Sequence, residues 1–245
     1  MLKDDLRGIW FIMVKDLRAY YFKPPNVSWG ILFPFAFVLA FVIRQDRSGD
    51  WVSLVPGLLA LTVLFGTTSM EAIVITFERR IGALERLLLA PLRLPALLAG
   101  KLFGGMVFGL VTTAVVLVVA LVVFGASGIH WPLLIGTMLL SAAAFSSLGA
   151  LISVSVKEVF EAQTLANAFR FPMMFLGGVF VPVASLPLWL RVVARVLPLT
   201  YAVEAMRAAM GDGDVPRAAL DLLVLAVFAL VFFVLASRTL ARRVA

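Results

Sequence analysis

The sequence has no cysteine, a single histidine and few charged residues, which make up 14% of its 245 positions. Without cysteine the chain has no disulfide framework and no thiolate chemistry. Zinc sites are built from clusters of cysteine and histidine. Because His130 is the only histidine and there is no cysteine, the sequence argues against a zinc enzyme. The shortage of charge also argues against a soluble domain, in which about 25% of residues are charged.

Apolar residues make up 62% of the chain, and the mean hydropathy is +1.06. A disordered chain is excluded, because disorder requires low hydrophobicity. A transmembrane helix needs about 20 mostly apolar residues. The composition therefore predicts an all-α integral membrane protein with one membrane domain, 1–245.

Apolar stretches of sufficient length recur along the chain and predict six transmembrane helices. They lie at 27–43, 51–77, 102–125, 132–156, 164–181 and 218–237. Ahead of them, the segment 1–25 mixes charges with apolar residues at helical spacing, which predicts an amphipathic helix in the headgroup plane. Packing of this helix on a partner domain is the alternative.

Lysine and arginine are unequally divided between the two sides of the predicted membrane domain. Fourteen fall in the terminal segments and in the loops that share their side, against six in the loops on the opposite side. By the positive-inside rule, both termini and the loop 78–101 are cytoplasmic, and the stretch 182–217 is external. We therefore expect a multi-pass protein of the cytoplasmic membrane, whose net charge of +7 reflects topology and not nucleic-acid binding.

The loop 78–101 contains a short amphipathic helix pattern. Leu84, Leu87 and Leu88 share one face, whereas Glu85 and Arg86 lie off it. We expect two prolines, Pro91 and Pro95, to end this helix. We expect Gly100 and Lys101 to mark the return of the chain to the bilayer. The pattern fits two interpretations equally: a helix resting on the membrane surface, or a docking element for a cytoplasmic partner.

The stretch 182–217 holds two apolar helical patterns separated by a proline. Neither pattern is long enough to span a bilayer. They predict a re-entrant helical hairpin in the outer leaflet or, alternatively, an external cap on the membrane surface. The residues expected to shape this hairpin are Pro182, Pro187, Pro198, Tyr201, Glu204 and Arg207.

Three motifs follow one another along the chain. They are E-R-R-I-G-A-L-E at 78–85, continued by L-L-A-P-L at 88–92; G-G-V-F-V-P at 177–182; and L-P-L-T-Y at 197–201, followed by Glu204 and Arg207. Together with the six predicted spans, they resemble the permease subunits of type-2 ATP-binding-cassette (ABC) exporters. The resemblance covers nearly the whole chain.

The resemblance implies a machine of two permease copies and two ATPase subunits. The permease pair is a homodimer or a heterodimer with a related permease. In this machine residues 6–22, within the amphipathic segment 1–25, form a connecting helix. The segment 78–92 is the coupling helix that contacts the ATPase, and 182–207 forms short outer helices. The ATPase-contacting residues so implied are Glu78, Arg79, Arg80, Gly82, Leu84, Glu85, Arg86, Leu88 and Pro91.

The sequence contains no G-x-x-x-x-G-K-[ST] phosphate loop, whose backbone cradles nucleotide phosphates. We therefore expect no bound cofactor and no enzymatic activity in this chain by itself, with ATP and Mg bound in the partner subunit. An intramembrane enzyme is disfavoured, because the only histidine lies in a predicted loop beside Trp131. An ATP-independent carrier or channel is a rival function, although it would not need the segment 78–92.

The family geometry implies that the first, second and fifth spans line the translocation path. The polar candidates on these spans are Thr62, Thr67, Thr68, Glu71, Thr164 and Asn167. The alternative for the threonines is a hydrogen bond to their own helix or to a neighbouring one. Arg170, early in the fifth span, is expected to snorkel toward the cytoplasmic headgroups.

The five tryptophans lie near predicted membrane interfaces and form no ladder on which sugars stack. The spans themselves are dominated by valine, leucine, alanine and phenylalanine. This composition favours export of a hydrophobic or amphipathic substrate, such as a drug, a lipid or a lipid-linked glycan. A polysaccharide is the alternative.

Overall fold

The computed structural model describes residues 2–23, 36, 54–124, 128–211 and 213–244, and within these ranges the chain is helical and has no strand. The α-helices are α1 (Leu2–Asp16), α2 (Val55–Arg80), α3 (Ala83–Leu88), α4 (Leu94–Phe124), α5 (Trp131–Ser155), α6 (Val159–Leu176), α7 (Leu188–Arg195), α8 (Pro198–Ala209) and α9 (Val215–Val244). A π-helical turn, Leu17–Tyr21, continues α1, and a 3-10 turn, Val183–Ser185, precedes α7. The prediction of an all-α protein is thus confirmed for the described part of the chain.

Among the described residues, four helices are long and apolar enough to cross a membrane: α2, α4, α5 and α9. They correspond to the second, third, fourth and sixth predicted spans. The predicted first span, 27–43, lies outside the described residues except for position 36. The predicted fifth span corresponds to α6, which is not one of the four. A total of six spans therefore stays a prediction.

The start of α6 differs from the predicted fifth span, 164–181. The helix begins at Val159 because Glu158 and Glu161 form a reciprocal capping box with the backbone of its first turn. It ends at Leu176, before Gly177 and Gly178, the second of which has φ +83°. The helix is therefore shifted toward the N-terminus relative to the prediction.

The start of α4 corrects a second expectation. Pro95 does not break a helix but lies in the first turn of α4, where a missing N–H costs no intrahelical hydrogen bond. Gly100 and Lys101 consequently lie within α4 and do not mark its beginning. As a result, Lys101 is held on the same rigid rod as the apolar part of α4.

The centre of the fold is α2, which is largely buried and packs against α4, α5, α6 and α8. Glycines permit this close approach, as small residues do between membrane helices. A side chain at Gly105 of α4 would overlap Glu71, and one at Gly149 of α5 would press on Thr68. In contrast, α9 packs on α5 and α8 and leaves most of its apolar surface exposed, as a lipid-facing helix does.

Two groups of short elements lie at opposite ends of this bundle. At one end, Ile12 of α1 and Leu84 of α3 join a buried apolar cluster with Leu98 of α4 and Leu240 of α9. At the other end, α7 and α8 meet at a turn before Pro198 and precede the start of α9. The two short helices predicted in 182–207 are therefore present, while their depth in a membrane stays a prediction.

Candidate coupling site

The helix α3 is a short amphipathic element between α2 and α4. Gly82, at φ +69°, supplies the left-handed turn that separates it from α2, a conformation that glycine adopts without steric cost. Leu84 is 2% exposed and packs into the cluster with Ile12, whereas Glu85 and Arg86 are exposed. One face of α3 is therefore seated on the chain itself, and the other is free.

The predicted ATPase-contacting residues differ in their accessibility. Arg80, Glu85, Arg86 and Pro91 are exposed, and Arg79, Gly82 and Leu88 are partly exposed. Glu78 and Leu84, however, are buried within the chain. The expectation that these two face a partner therefore needs correction: Glu78 points into a network of charges and Leu84 into an apolar cluster, so both support the free face of α3 from behind.

The π-helical turn after α1 brings two polar side chains inward. The N–H of Phe22 donates to the carbonyl of Leu17, five residues earlier, at 3.0 Å, which widens the helix locally. Asp16 and Tyr21, at the two ends of this turn, are both fully buried. The turn therefore directs both side chains toward the α2–α4 interface. In an uninterrupted α-helix, these two side chains would point in different directions.

Asp16 takes part in a network of four charges, which we call the charge ring: Lys15, which is partly exposed, and the buried Asp16, Glu78 and Lys101. Lys15 Nζ lies 2.8 Å from Asp16 Oδ1 and 2.5 Å from Glu78 Oε1. Lys101 Nζ lies 3.2 Å from Asp16 Oδ2 and also pairs with Glu78 Oε2. Each lysine thus bridges both acids, and the ring is neutral.

The charge ring ties together three separate elements. Asp16 comes from α1, Glu78 from the last turns of α2 and Lys101 from α4, and all three are shielded from solvent. Burial raises the pKa of Asp16, while the neighbouring Lys101 acts in the opposite direction. Such a network is costly to assemble, but removing one partner costs more, because it leaves a buried charge uncompensated.

A second polar contact lies two helical turns away along α2. Glu71 is fully buried and accepts hydrogen bonds from the Tyr21 hydroxyl at 2.9 Å and the Gly105 N–H at 3.0 Å. Burial and the charge of Glu71 raise the pKa of Tyr21, which keeps its hydroxyl protonated as a donor. The π-helical turn is therefore fixed to α2 at both of its ends.

The other predicted path residues are not gathered in one place. Thr62, Thr67 and Thr68 are buried, and each donates to the carbonyl four residues earlier, at 2.8, 2.8 and 2.5 Å. On α6, Thr164 is exposed and Asn167 is partly exposed. A role for any of them in the translocation path stays a prediction.

Arg170 does not snorkel, contrary to expectation. It is 1% exposed and donates to Ser69 Oγ at 2.5 Å and to the Ala166 carbonyl at 3.2 Å. Its guanidinium lies 5.0 Å from the centre of the Phe65 ring. The side chain faces α2, because the packing of α6 on α2 leaves it no route to a headgroup.

The residues of the predicted outer hairpin lie around α7 and α8. Pro182 and Pro187 flank the 3-10 turn and α7, and Pro198 starts α8. Three side chains hold the arrangement: the Tyr201 hydroxyl donates to the Arg195 carbonyl at 2.6 Å, Glu204 pairs with Arg217 at 3.9 Å, and Arg207 donates to the Gly178 carbonyl at 2.7 Å.

Sequence reasoning did not single out Lys15, Asp16, Tyr21 or Lys101 as site residues. One signal was present, since a lysine followed at once by a long apolar stretch needs a partner when the helix is embedded. The spacing of Gly105 and Gly109, typical of closely packed membrane helices, was a second. Neither signal identifies which acids Lys101 meets, because Asp16 is 85 residues away in the chain.

The apolar helices and their packing define the class of this protein: a multi-pass membrane protein, helical throughout the part of the chain that the structure describes. Comparison with known proteins then identifies its family. Residues 7–210 match the ABC-2 type transporter family, and the chain belongs to it. The chain is therefore a transport permease subunit, and its family implies association with an ABC ATPase subunit.

Of three curated relatives, two are named as transport permeases. The chain is 27% identical to the inner membrane transport permease YadH of Escherichia coli (strain K12) over 224 residues, which cover 86% of this chain and 85% of that protein. It is 30% identical to nodulation protein J of Sinorhizobium fredii over 210 residues, covering 83% and 78%. It is 26% identical to the putative transport permease ycf38 of Cyanophora paradoxa over 214 residues, covering 80% and 72%.

Proposed function

We propose that this permease couples ATP hydrolysis in a separate subunit to the export of a hydrophobic or amphipathic substrate. The observation that carries the proposal is the construction of α3. Its free face presents Glu85 and Arg86, and the next residue after the helix, Leu89, is 87% exposed. Its other face is seated on the chain through Leu84. An element that is firmly held on one side and open on the other suits the transmission of force from a partner.

The charge ring supports this mechanism. Glu78 lies in the last turn of α2, a few residues before α3, and is linked through lysines to α1 and α4. Displacement of α3 by a closing ATPase would therefore move the cytoplasmic ends of α1, α2 and α4 together. The substrate responds to this motion only through different affinities for the two resulting states.

The remaining features of the assembly follow from the family and from the sequence. Two permease copies, most simply a homodimer, would associate with two ATPase subunits that bind ATP and Mg. The distribution of lysine and arginine supports cytoplasmic termini and a cytoplasmic α3. The apolar spans support a drug, a lipid or a lipid-linked glycan as substrate, with a polysaccharide as the alternative.

The test compares two double variants of the full chain, purified with the ATPase that accompanies the wild type. Glu85→Ala with Arg86→Ala removes the exposed charges of α3, and Asp214→Ala with Arg242→Ala removes exposed charges elsewhere. We expect the first variant to lose vanadate-sensitive, substrate-stimulated ATPase activity by about tenfold, since charge-assisted contacts contribute roughly that factor. The second variant should behave as wild type.

Two outcomes would contradict the proposal. Unchanged stimulation in the α3 variant would remove α3 from the coupling pathway. Substrate flux in liposomes that contain the permease alone, without nucleotide, would favour the carrier or channel function instead.

A further inference from the structure

A cavity of about 340 Å³ lies between α7, α8 and the beginning of α9. The coupling site is at the other end of α9, where Leu240 joins the apolar cluster of α3. At 1.5 Å per helical residue, Asp221 in the cavity wall and Leu240 are roughly 28 Å apart along α9. The cavity is therefore a separate site, and its volume is near the lower end of small-molecule pockets, about 300–1,000 Å³.

Charged side chains of both signs line this cavity. They are Arg191, Arg195, Glu204, Arg217 and Asp221. Part of this charge is already engaged: Glu204 pairs with Arg217 at 3.9 Å, and Arg191 donates through its terminal nitrogen to the Ala184 and Leu186 carbonyls. The charged groups that are not engaged indicate which ligand the cavity would bind.

The remaining groups carry opposite charges. Asp221 is only 5% exposed and forms no hydrogen bond or ion pair within 4 Å with a described residue, although the charges of Glu204 and Arg217 in the same cavity wall act on it from farther away. The side chain of Arg195 is exposed and forms no ion pair with a described residue, whereas Arg191 Nε is buried too deeply for a ligand to reach it. A buried carboxylate that accepts no hydrogen bond is unfavourable unless a ligand supplies a donor, and Arg195 in the same cavity can pair with an anionic part of that ligand.

We infer that this cavity binds a phosphoethanolamine group, whose ammonium pairs with Asp221 and whose phosphate pairs with the guanidinium of Arg195. Arginine suits a phosphate, because its planar guanidinium presents several donors to the phosphate oxygens. Apolar side chains of α9, Leu220 and Val224, line the same cavity and give the methylene groups an apolar wall. The group comes from a phospholipid headgroup or from a soluble compound of the same chemistry.

The first experiment measures binding to the purified full-length permease without nucleotide, so that its result does not depend on ATPase coupling. The probe is glycerophosphoethanolamine, and glycerophosphate, which lacks the ammonium, is the comparison ligand. Asp221→Asn is the test variant, and Asp214→Asn, the same change at an exposed position outside the cavity, is the matched control. Calorimetry should show that Asp221→Asn weakens binding by about tenfold, as loss of a charged hydrogen bond does.

A second variant guards against misfolding of the first. Arg195 is exposed, so Arg195→Gln leaves the packing intact, and it should also weaken binding of glycerophosphoethanolamine. Three results would overturn the inference. The first is that glycerophosphate binds as tightly as glycerophosphoethanolamine, and the second is that Asp221→Asn and Asp214→Asn bind the probe with equal affinity. The third is that neither calorimetry nor lipid retention detects any binding.

Native mass spectrometry distinguishes the two sources of the ligand. The permease is extracted from nanodiscs of mixed phosphatidylethanolamine and phosphatidylglycerol. Retention of phosphatidylethanolamine by the wild type, lost in Asp221→Asn, identifies a lipid headgroup. Asp221-dependent binding of glycerophosphoethanolamine without lipid retention identifies a soluble ligand.

Discussion

The charge ring and the cavity at the opposite end of α9 differ in how their buried charged side chains are paired. In the ring, Asp16, Glu78 and Lys101 are buried, and two lysines bridge both acids. Around the cavity, Asp221 is nearly as buried but forms no hydrogen bond or ion pair within 4 Å with a described residue. A buried charge held by ion pairs from several elements stiffens the fold. One that lines a cavity without a hydrogen bond is available to a ligand. The predictions below test this contrast.

The largest expected effect is the loss of a ring member. Lys101→Ala leaves Asp16 and Glu78 with Lys15 as their only cation, so the variant should lose about 3–5 kcal/mol of stability. Thermal unfolding of the detergent-purified protein measures this loss. Combining Lys101→Met with Glu78→Gln removes one charge of each sign and should recover part of the stability. A melting temperature unchanged in Lys101→Ala would show that the ring is not structural.

Close packing beside the ring gives the next effect. A methyl group at Gly105 would overlap the carboxylate of Glu71. Gly105→Ala should therefore destabilise the protein by roughly 2–3 kcal/mol, as overpacking does. Gly136→Ala is the control, since only the tip of Leu222 comes within 4.0 Å of the added carbon. Equal melting temperatures of the two variants would contradict the assigned packing.

A pair of tyrosines compares the two regions directly. Tyr21→Phe removes a hydrogen bond to buried Glu71, and Tyr201→Phe removes one to the Arg195 carbonyl beside the cavity. Leaving a buried carboxylate with one donor fewer should cost about 1–2 kcal/mol, against roughly 0.5–1 kcal/mol for the neutral bond. Thermal unfolding checks the order, and a larger loss in Tyr201→Phe would reverse the comparison.

The smallest effect is expected at the rim of the cavity. Arg217 and Glu204 pair at 3.9 Å with side chains that are 60% and 33% exposed. Arg217→Gln should change stability by less than about 1 kcal/mol, because water and salt screen such pairs. Unfolding at low and high salt measures this change. A loss comparable to that of Lys101→Ala would mean that the rim is as structural as the ring.

Local pattern was sufficient for several elements. The period of apolar residues predicts α3, and Pro198 marks the boundary between α7 and α8, because proline in the first turn of a helix costs no intrahelical hydrogen bond. Local pattern failed at Pro95, which it predicts to break a helix but which lies in the first turn of α4. Whether a proline breaks or begins a helix depends on its distance from the helix start. The two ends of α6 depend on capping side chains and on glycines. The spacing of apolar residues does not reveal either of these signals.

The sequence by itself determined that this is a helical membrane protein of the ABC-2 type, because apolar stretches and short motifs are local properties of the chain. It also determined that Glu85 and Arg86 lie off the apolar face of α3. Only the tertiary structure decided that Glu78 faces inward and meets Lys101 and Asp16. Partners so far apart in sequence are brought together by helix packing, and their pairing follows from that packing and not from their spacing.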